Sequence, residues 1–171
     1  MSEIRATGMK ALTPLTPCGK VQISSPVIAG FGYADCPGHP AWLVPEDAPT
    51  PAFPLYLVAN QPATRLHSQL DFGAHSASRK RQGREVCTLH PQDAAARGIA
   101  DGDIVRLFNA RGACLASAAL STTIMPGVAQ LPTGAWYDPV EDTSGQVALC
   151  GHGNPNILTR DAGTSSLAQG C

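Results

Sequence analysis

EVCTLHPQDAAARGIADGDIVRLFNARGACLASAALST, residues 85–122, carries the clearest punctuation in the chain. Glu85–Leu89 is a short run that predicts a strand. His90 stands where an N-cap belongs, Pro91 fits the first helical position, and Gly98 follows the helix-prone Gln92–Arg97. Asp93 falls in the first turn, where a carboxylate complements the helix dipole. Asp101-Gly102-Asp103 then turns the chain into a strand at Ile104–Phe108. Asn109–Gly112 is a hairpin signal, and the return strand Ala113–Thr122 is so rich in alanine that something must pack close to it. Strand, short helix, hairpin: the stretch reads as mainly β with one inserted helix.

Working outward, Phe53–Ala59 (FPLYLVA) reads as a buried strand that delivers the polar segment NQPATRLHSQ, Asn60–Gln69. On the far side, Pro126-Gly127 turns into a strand at Val128–Leu131. Beyond Gly134 the pattern loses regularity, with GAWYDP and HGNPNILTRDAGTSSLAQG as landmarks. Met1–Gly19 is irregular, and Lys20–Ile23 alternates enough to suggest a short strand. Ser24–Pro51 is a long connection carrying Phe31, Tyr33, Trp42 and Leu43, which pack either on this chain's own core or on a neighbouring domain. The organisation expected is an irregular segment, 1–19, followed by one β-barrel domain, 20–171, with a short inserted helix and long irregular loops.

The totals narrow the function classes. A chain of 171 residues is enough for one core, and 12 Lys and Arg against 13 Asp and Glu leave a formal charge of −1. Nothing global therefore points to nucleic acid or an anionic membrane surface. Charged residues make up only 15%, while Gly numbers 17 and Pro 15, a loop-rich, weakly charged composition that suits packing against other domains. The six cysteines at 18, 36, 87, 114, 150 and 171 form no CxxC and no zinc-type spacing. Met1–Lys10 lacks the apolar segment of a signal peptide. A reducing, cytoplasmic setting is the expectation, with a periplasmic one the alternative for a full-length protein.

Three polar loops hold the candidate chemistry: Asn60–Gln69, Gly134–Pro139 and Gly151–Gln169. A loop after a strand is either simply solvated or a site positioned by a rigid sheet. Bond-breaking chemistry fits poorly, because His67 and Ser68 are adjacent and diverge in an extended segment. No signature pairs the carboxylates Asp138, Glu141, Asp142 and Asp161. Binding fits better. Asn and Gln amides match the donor–acceptor edge of a heterocycle, Arg65 offers a planar fork to a phosphate, and Trp136 and Tyr137 offer flat faces. The basic run Arg79, Lys80, Arg81 and Arg84 is either a solvated loop or electrostatic help for an anionic ligand.

NQPATRLHSQL, GREV, HPQDAAARGIADGDIVRLF, GAWYDP and HGNPNILTRDAGTSSLAQG occur in that order. Together they resemble the C-terminal dinucleotide-binding domain of the dimethyl sulfoxide reductase family, the bis-molybdopterin guanine dinucleotide oxidoreductases. AGFGYADCPGHPAW (Ala29–Trp42) and the ending GTSSLAQG look most like its biotin sulfoxide and S- or N-oxide reductase branch. The resemblance implies a double-psi β-barrel that covers a molybdenum cofactor held mostly by other domains. It places cofactor contacts at Asn60, Gln61, Arg65, His67, Ser68, Gln69, Trp136, Asn156 and Gln169. The molybdenum ligand belongs to domains outside this chain, so the isolated chain is expected to be inactive, with the rest of a molybdenum oxidoreductase as its partner. A cofactor-free barrel serving as a protein-interaction adaptor is the alternative. If the cofactor reading holds, Arg65, His67, Trp136 and Asn156 should line one concave face, open to solvent when the domain stands alone.

Overall fold

The computed structural model describes residue 16, residues 19–141 and residues 148–168; Asp142 and Gln169 lie outside the described residues. The chain divides into two compact units, residues 1–45 with 162–171, and residues 46–161.

In the first unit, Pro26–Ala29 forms one helical turn capped by Ser25, whose hydroxyl accepts the Ile28 N–H at 3.3 Å. Asp35 accepts both the Ser166 N–H, at 2.7 Å, and its hydroxyl, at 3.0 Å. The strand expected at Lys20–Ile23 does not form: Val21 and Ile23 are exposed and pair with no strand. Two alternating apolar residues are too few to fix a strand without a neighbouring ladder. Phe31, Tyr33, Trp42 and Leu43 are likewise exposed.

The second unit is mainly β, with a few very short helices. Its strands are β1 (Tyr56–Val58), β2 (Val86–Leu89), β3 (Ile104–Phe108), β4 (Gly112–Leu120), β5 (Val128–Gln130), β6 (Pro139–Val140) and β7 (Ala148–Cys150). They form one sheet in the order β1-β5-β2-β4-β7-β6, with β3 also paired to β4. β4 organises it. β3 runs antiparallel along residues 113–117, while β7 pairs in parallel with 112–114 and β2 in parallel with 117–120. A strand has two edges, so β7 and β2 share one edge of β4 end to end, and the sheet curls around it.

The core explains the alanines. Cys87 and Leu89 of β2, Val105 of β3, Cys114, Ala116 and Ala118 of β4, Ala129, Leu131, Cys150 and Leu158 form one buried cluster. At Gly112 a Cβ would lie 2.7 Å from Ile157 Cγ1 and 2.8 Å from its carbonyl oxygen, so the 3₁₀ turn Pro155–Leu158 packs directly on the β4 backbone.

The inserted helix forms at Pro91–Ala95, shorter than the Gln92–Arg97 run. The His90 Nδ1 accepts the Gln92 N–H at 3.2 Å, Asp93 sits in the first turn, and Gly98 turns left-handed at φ +66°. β1 is shorter than the Phe53–Ala59 run and is not buried: it lies at the sheet margin, paired only to β5, with Tyr56 and Val58 exposed.

A rim cleft over a buried ion cluster

The loop after β1 descends before it surfaces. Arg65 sits on it with a side chain only 2% exposed. The guanidinium meets protein on every side. Nε donates to the His67 carbonyl at 3.2 Å, Nη2 donates to the Thr133 carbonyl at 2.9 Å, and Nη1 faces Glu85 Oε1 at 3.0 Å. Asp71, fully buried, lies 3.5 Å from Arg65 Nε and accepts from Lys80 Nζ at 2.6 Å. Its other oxygen accepts the Trp136 backbone N–H at 2.9 Å and stands 3.0 Å from His152 Nε2, which also contacts Lys80 Nζ. Glu85 Oε1 also faces Lys80, at 3.4 Å, and stands at ion-pair distance from both cations without a well-directed hydrogen bond.

Two carboxylates and two side-chain cations thus close a buried cluster in which the four formal charges cancel. Breaking such a cluster leaves an uncompensated buried charge, worth about 3–5 kcal/mol. Burial raises the Asp71 pKa. The hydrogen bonds from Lys80 and the Trp136 N–H, with the charges of Lys80 and Arg65, outweigh that and hold the carboxyl below its ordinary range.

Above the cluster lies an open cleft of about 370 Å³, lined by His67, Ser68, Thr133–Tyr137, Asn154 and Asn156. All three polar loops of the sequence reach it. The Trp136 indole N–H donates to the Ser68 carbonyl at 2.7 Å, which joins the first loop to the second. Phe72 stacks on the buried His152 ring at 4.9 Å and 22°, and meets Trp136 edge-on at 5.2 Å and 77°. The first two loops approach so closely that a Cβ on Gly134 would sit 1.8 Å from the His67 carbonyl oxygen. His67 itself takes a left-handed backbone, φ +49°, and is exposed. Among the described residues the side chains of His67 and Asn156 have no hydrogen-bond partner, so both are available at the cleft.

A second cleft of about 340 Å³ lies beside it, lined by Asn60, Thr64, Arg65, Arg79, Thr88 and Gln130 among others. Asn60 Oδ1 is buried there with no hydrogen-bond partner among the described residues.

The structure therefore gathers His67, Ser68, Trp136 and Asn156 on one concave face and puts Asn60 at the neighbouring one. Arg65 does not share the open face as expected, because internal carboxylates and carbonyls claim its fork. Gln61 is exposed and donates to the Arg65 carbonyl at 2.6 Å, while Gln69 is exposed and lines neither cleft. Of the basic run, Lys80 is buried in the cluster, so the solvated-loop reading fails for it, whereas Arg81 is exposed and pairs with Asp101 at 3.2 Å. Asp71, Glu85, His152 and Asn154 were missed. The usable signal was GHG at 151–153, since a His between two glycines marks close backbone approach; a Cβ at Gly153 would lie 2.8 Å from Glu85 Cβ.

The family model described as Molydopterin dinucleotide binding domain matches residues 55–171. The chain is 48% identical over 158 residues to the biotin sulfoxide reductase of Cereibacter sphaeroides, covering 91% of this chain and 21% of that protein. It is 49% identical over 166 residues to the trimethylamine-N-oxide reductase of Haemophilus influenzae, covering 93% and 20%. It spans about a fifth of the length of the curated relatives it matches. The acetylene hydratase of Pelobacter acetylenicus superposes with a TM-score of 0.63 at 20% identity, over 86% of this chain and 21% of that one.

Proposed function

We propose, from the premise that this chain belongs to the Molydopterin dinucleotide binding domain family, that it covers the bis-molybdopterin guanine dinucleotide cofactor of a molybdenum oxidoreductase. The similarity to biotin sulfoxide and trimethylamine-N-oxide reductases supports an S- or N-oxide reductase as the whole protein. The observation that carries this reading is the rim cleft, where three loops distant in sequence bring an imidazole, a hydroxyl, two amides and two aromatic rings to one face.

The lining fits such a ligand. His67 and Asn156 would bond the edge of a pterin, Trp136 and Tyr137 would offer it flat surfaces, and Ser68 would bond a polar substituent. In the neighbouring cleft, the orphaned Asn60 Oδ1 marks a place for a ligand N–H. When bound, the cofactor supplies oxygen-atom transfer at its metal; this chain's residues orient it and exclude water. The fold reading is a double-psi β-barrel, supported by the parallel pairing of β1 with β5 and of β2 with β4 between sequence-distant strands. The partner is the remainder of the enzyme, against which the exposed Leu66, Leu70 and Phe72 would pack.

The test is to titrate the chain with neopterin monophosphate while following Trp136 emission in a Trp42→Phe background. Weak saturable quenching is expected, about tenfold weaker in His67→Ala/Asn156→Ala. Identical titrations for parent and variant would remove the cleft from the proposal. The isolated chain should purify without stoichiometric molybdenum and without reductase activity, and elemental analysis finding one molybdenum per chain would contradict that.

A further inference from the structure

The cleft is built on backbone atoms, and those atoms are held from beneath. The His67 carbonyl is fixed by Arg65 Nε, the Thr133 carbonyl by Arg65 Nη2, and the Trp136 N–H by Asp71 Oδ2. His152, which opens the third loop, meets the same Asp71 oxygen. Each loop that lines the cleft therefore has an anchor in one cluster. Neither anchoring side chain reaches the cleft: Arg65 is 2% exposed and Asp71 wholly buried. For Arg65 to grip a ligand phosphate it would have to release two carbonyls and a carboxylate, in an interior where stranded charge is costly.

We propose that Arg65 and Asp71 are positioning residues, which set the relative placement of the three loops from inside the fold without reaching into the rim cleft. This rests on the cleft being the binding site, but its claim about loop placement can be tested without a ligand. Charge matching across the cluster gives the placement its precision. Lys80 sits between the two carboxylates and Arg65 between Glu85 and Asp71, so the first loop cannot shift without separating a pair, and the other two cannot shift without breaking their hydrogen bonds to Arg65 or Asp71.

Two measurements on the chain decide it. The first needs no variant: amide hydrogen exchange at Trp136, which lies outside every strand. Its N–H should exchange as slowly as the amides of β2 and β4; exchange at the rate of an unprotected loop amide would overturn the proposal.

The second uses Asp71→Leu/Lys80→Met in the Trp42→Phe background. This removes one buried anion and one buried cation together, keeps the cluster neutral, and leaves the Trp136 N–H without its acceptor. Acrylamide quenching of Trp136 should rise by about twofold or more, because the loop gains local opening that the core does not share. Quenching equal to the parent would reduce Asp71 to a fold-stabilising charge and overturn the proposal. If this variant fails to fold, the exchange measurement alone decides.

Neopterin monophosphate then separates the two ideas. If the parent binds it, Arg65→Gln should bind about tenfold more weakly with an unchanged salt dependence, since no ligand–guanidinium ion pair is lost. A reduced salt dependence would assign Arg65 a direct contact and overturn the proposal. If the parent shows no binding, the cofactor reading suffers, while exchange and quenching still decide the positioning claim.

Discussion

Gly98 and Gly134 share a left-handed backbone, φ +66° and +89°, but differ in surroundings. A Cβ at Gly98 meets nothing within 4 Å, whereas at Gly134 it meets the His67 carbonyl. Gly98→Ala should therefore cost only the conformational penalty, about 1 kcal/mol. Gly134→Ala should cost more than about 2 kcal/mol and dislodge the first loop, because penalty and backbone clash add. Urea denaturation of both variants checks this; equal losses would mean that the loops do not touch. Asp71 adds a pH signature. Its folded pKa lies below the ordinary 3.8, so its contribution is fully present above that value and is lost as pH falls through the lower, folded one. Stability measured from pH 6 downward should fall more steeply below about pH 4 in the parent than in Asp71→Leu/Lys80→Met. These residues also show the limit of reading a chain by eye. Arg65, His67, Trp136 and Asn156 stand out as types, but a guanidinium aimed at a ligand looks the same in sequence as one aimed at Glu85. Asp71 and His152 become partners only after the chain has returned 81 positions later.

β4 accounts for what was legible among the elements. Its alanines announced close packing, and the hairpin with β3 was marked by Asn109, whose side-chain oxygen accepts the Arg111 N–H at 2.9 Å. Local signals of this kind survive without tertiary context. β7 was not legible: three residues in a Gly-, Ser- and Thr-rich stretch carry no periodicity, and only their pairing to β4 makes them a strand. β1 was overextended for the opposite reason, since an apolar run says nothing about which of its residues find a ladder. Burial of these strands is testable through their thiols. Desolvation pushes Cys87 to about 12, and desolvation together with the neighbouring Cys150 and Cys87 pushes Cys114 to about 12. Iodoacetamide at pH 8 should leave both unmodified in the native chain and label both in urea, while the half-buried Cys36 reacts natively. Native labelling of Cys87 or Cys114, mapped by mass spectrometry, would contradict the register of β2 and β4.

The divided edge of β4 also dictates an order of events in time. The β3–β4 hairpin joins chain neighbours through a short turn and β6–β7 joins neighbours through a longer connection, whereas β1 must find β5, β2 must find β4 across a helix and a strand, and β7 must find the start of β4. Closing long loops is slow, so the hairpin should nucleate the unit and the parallel partners should add afterwards. Destabilising Ala116 should slow refolding, whereas destabilising Leu149 should chiefly hasten unfolding, a contrast that stopped-flow chevrons would resolve. Because His152 lies just beyond β7, its contact with Asp71 and the third loop's place at the rim can form only after that last strand docks. The rim cleft is thus assembled at the end of the folding route and is the first part undone when it runs backwards.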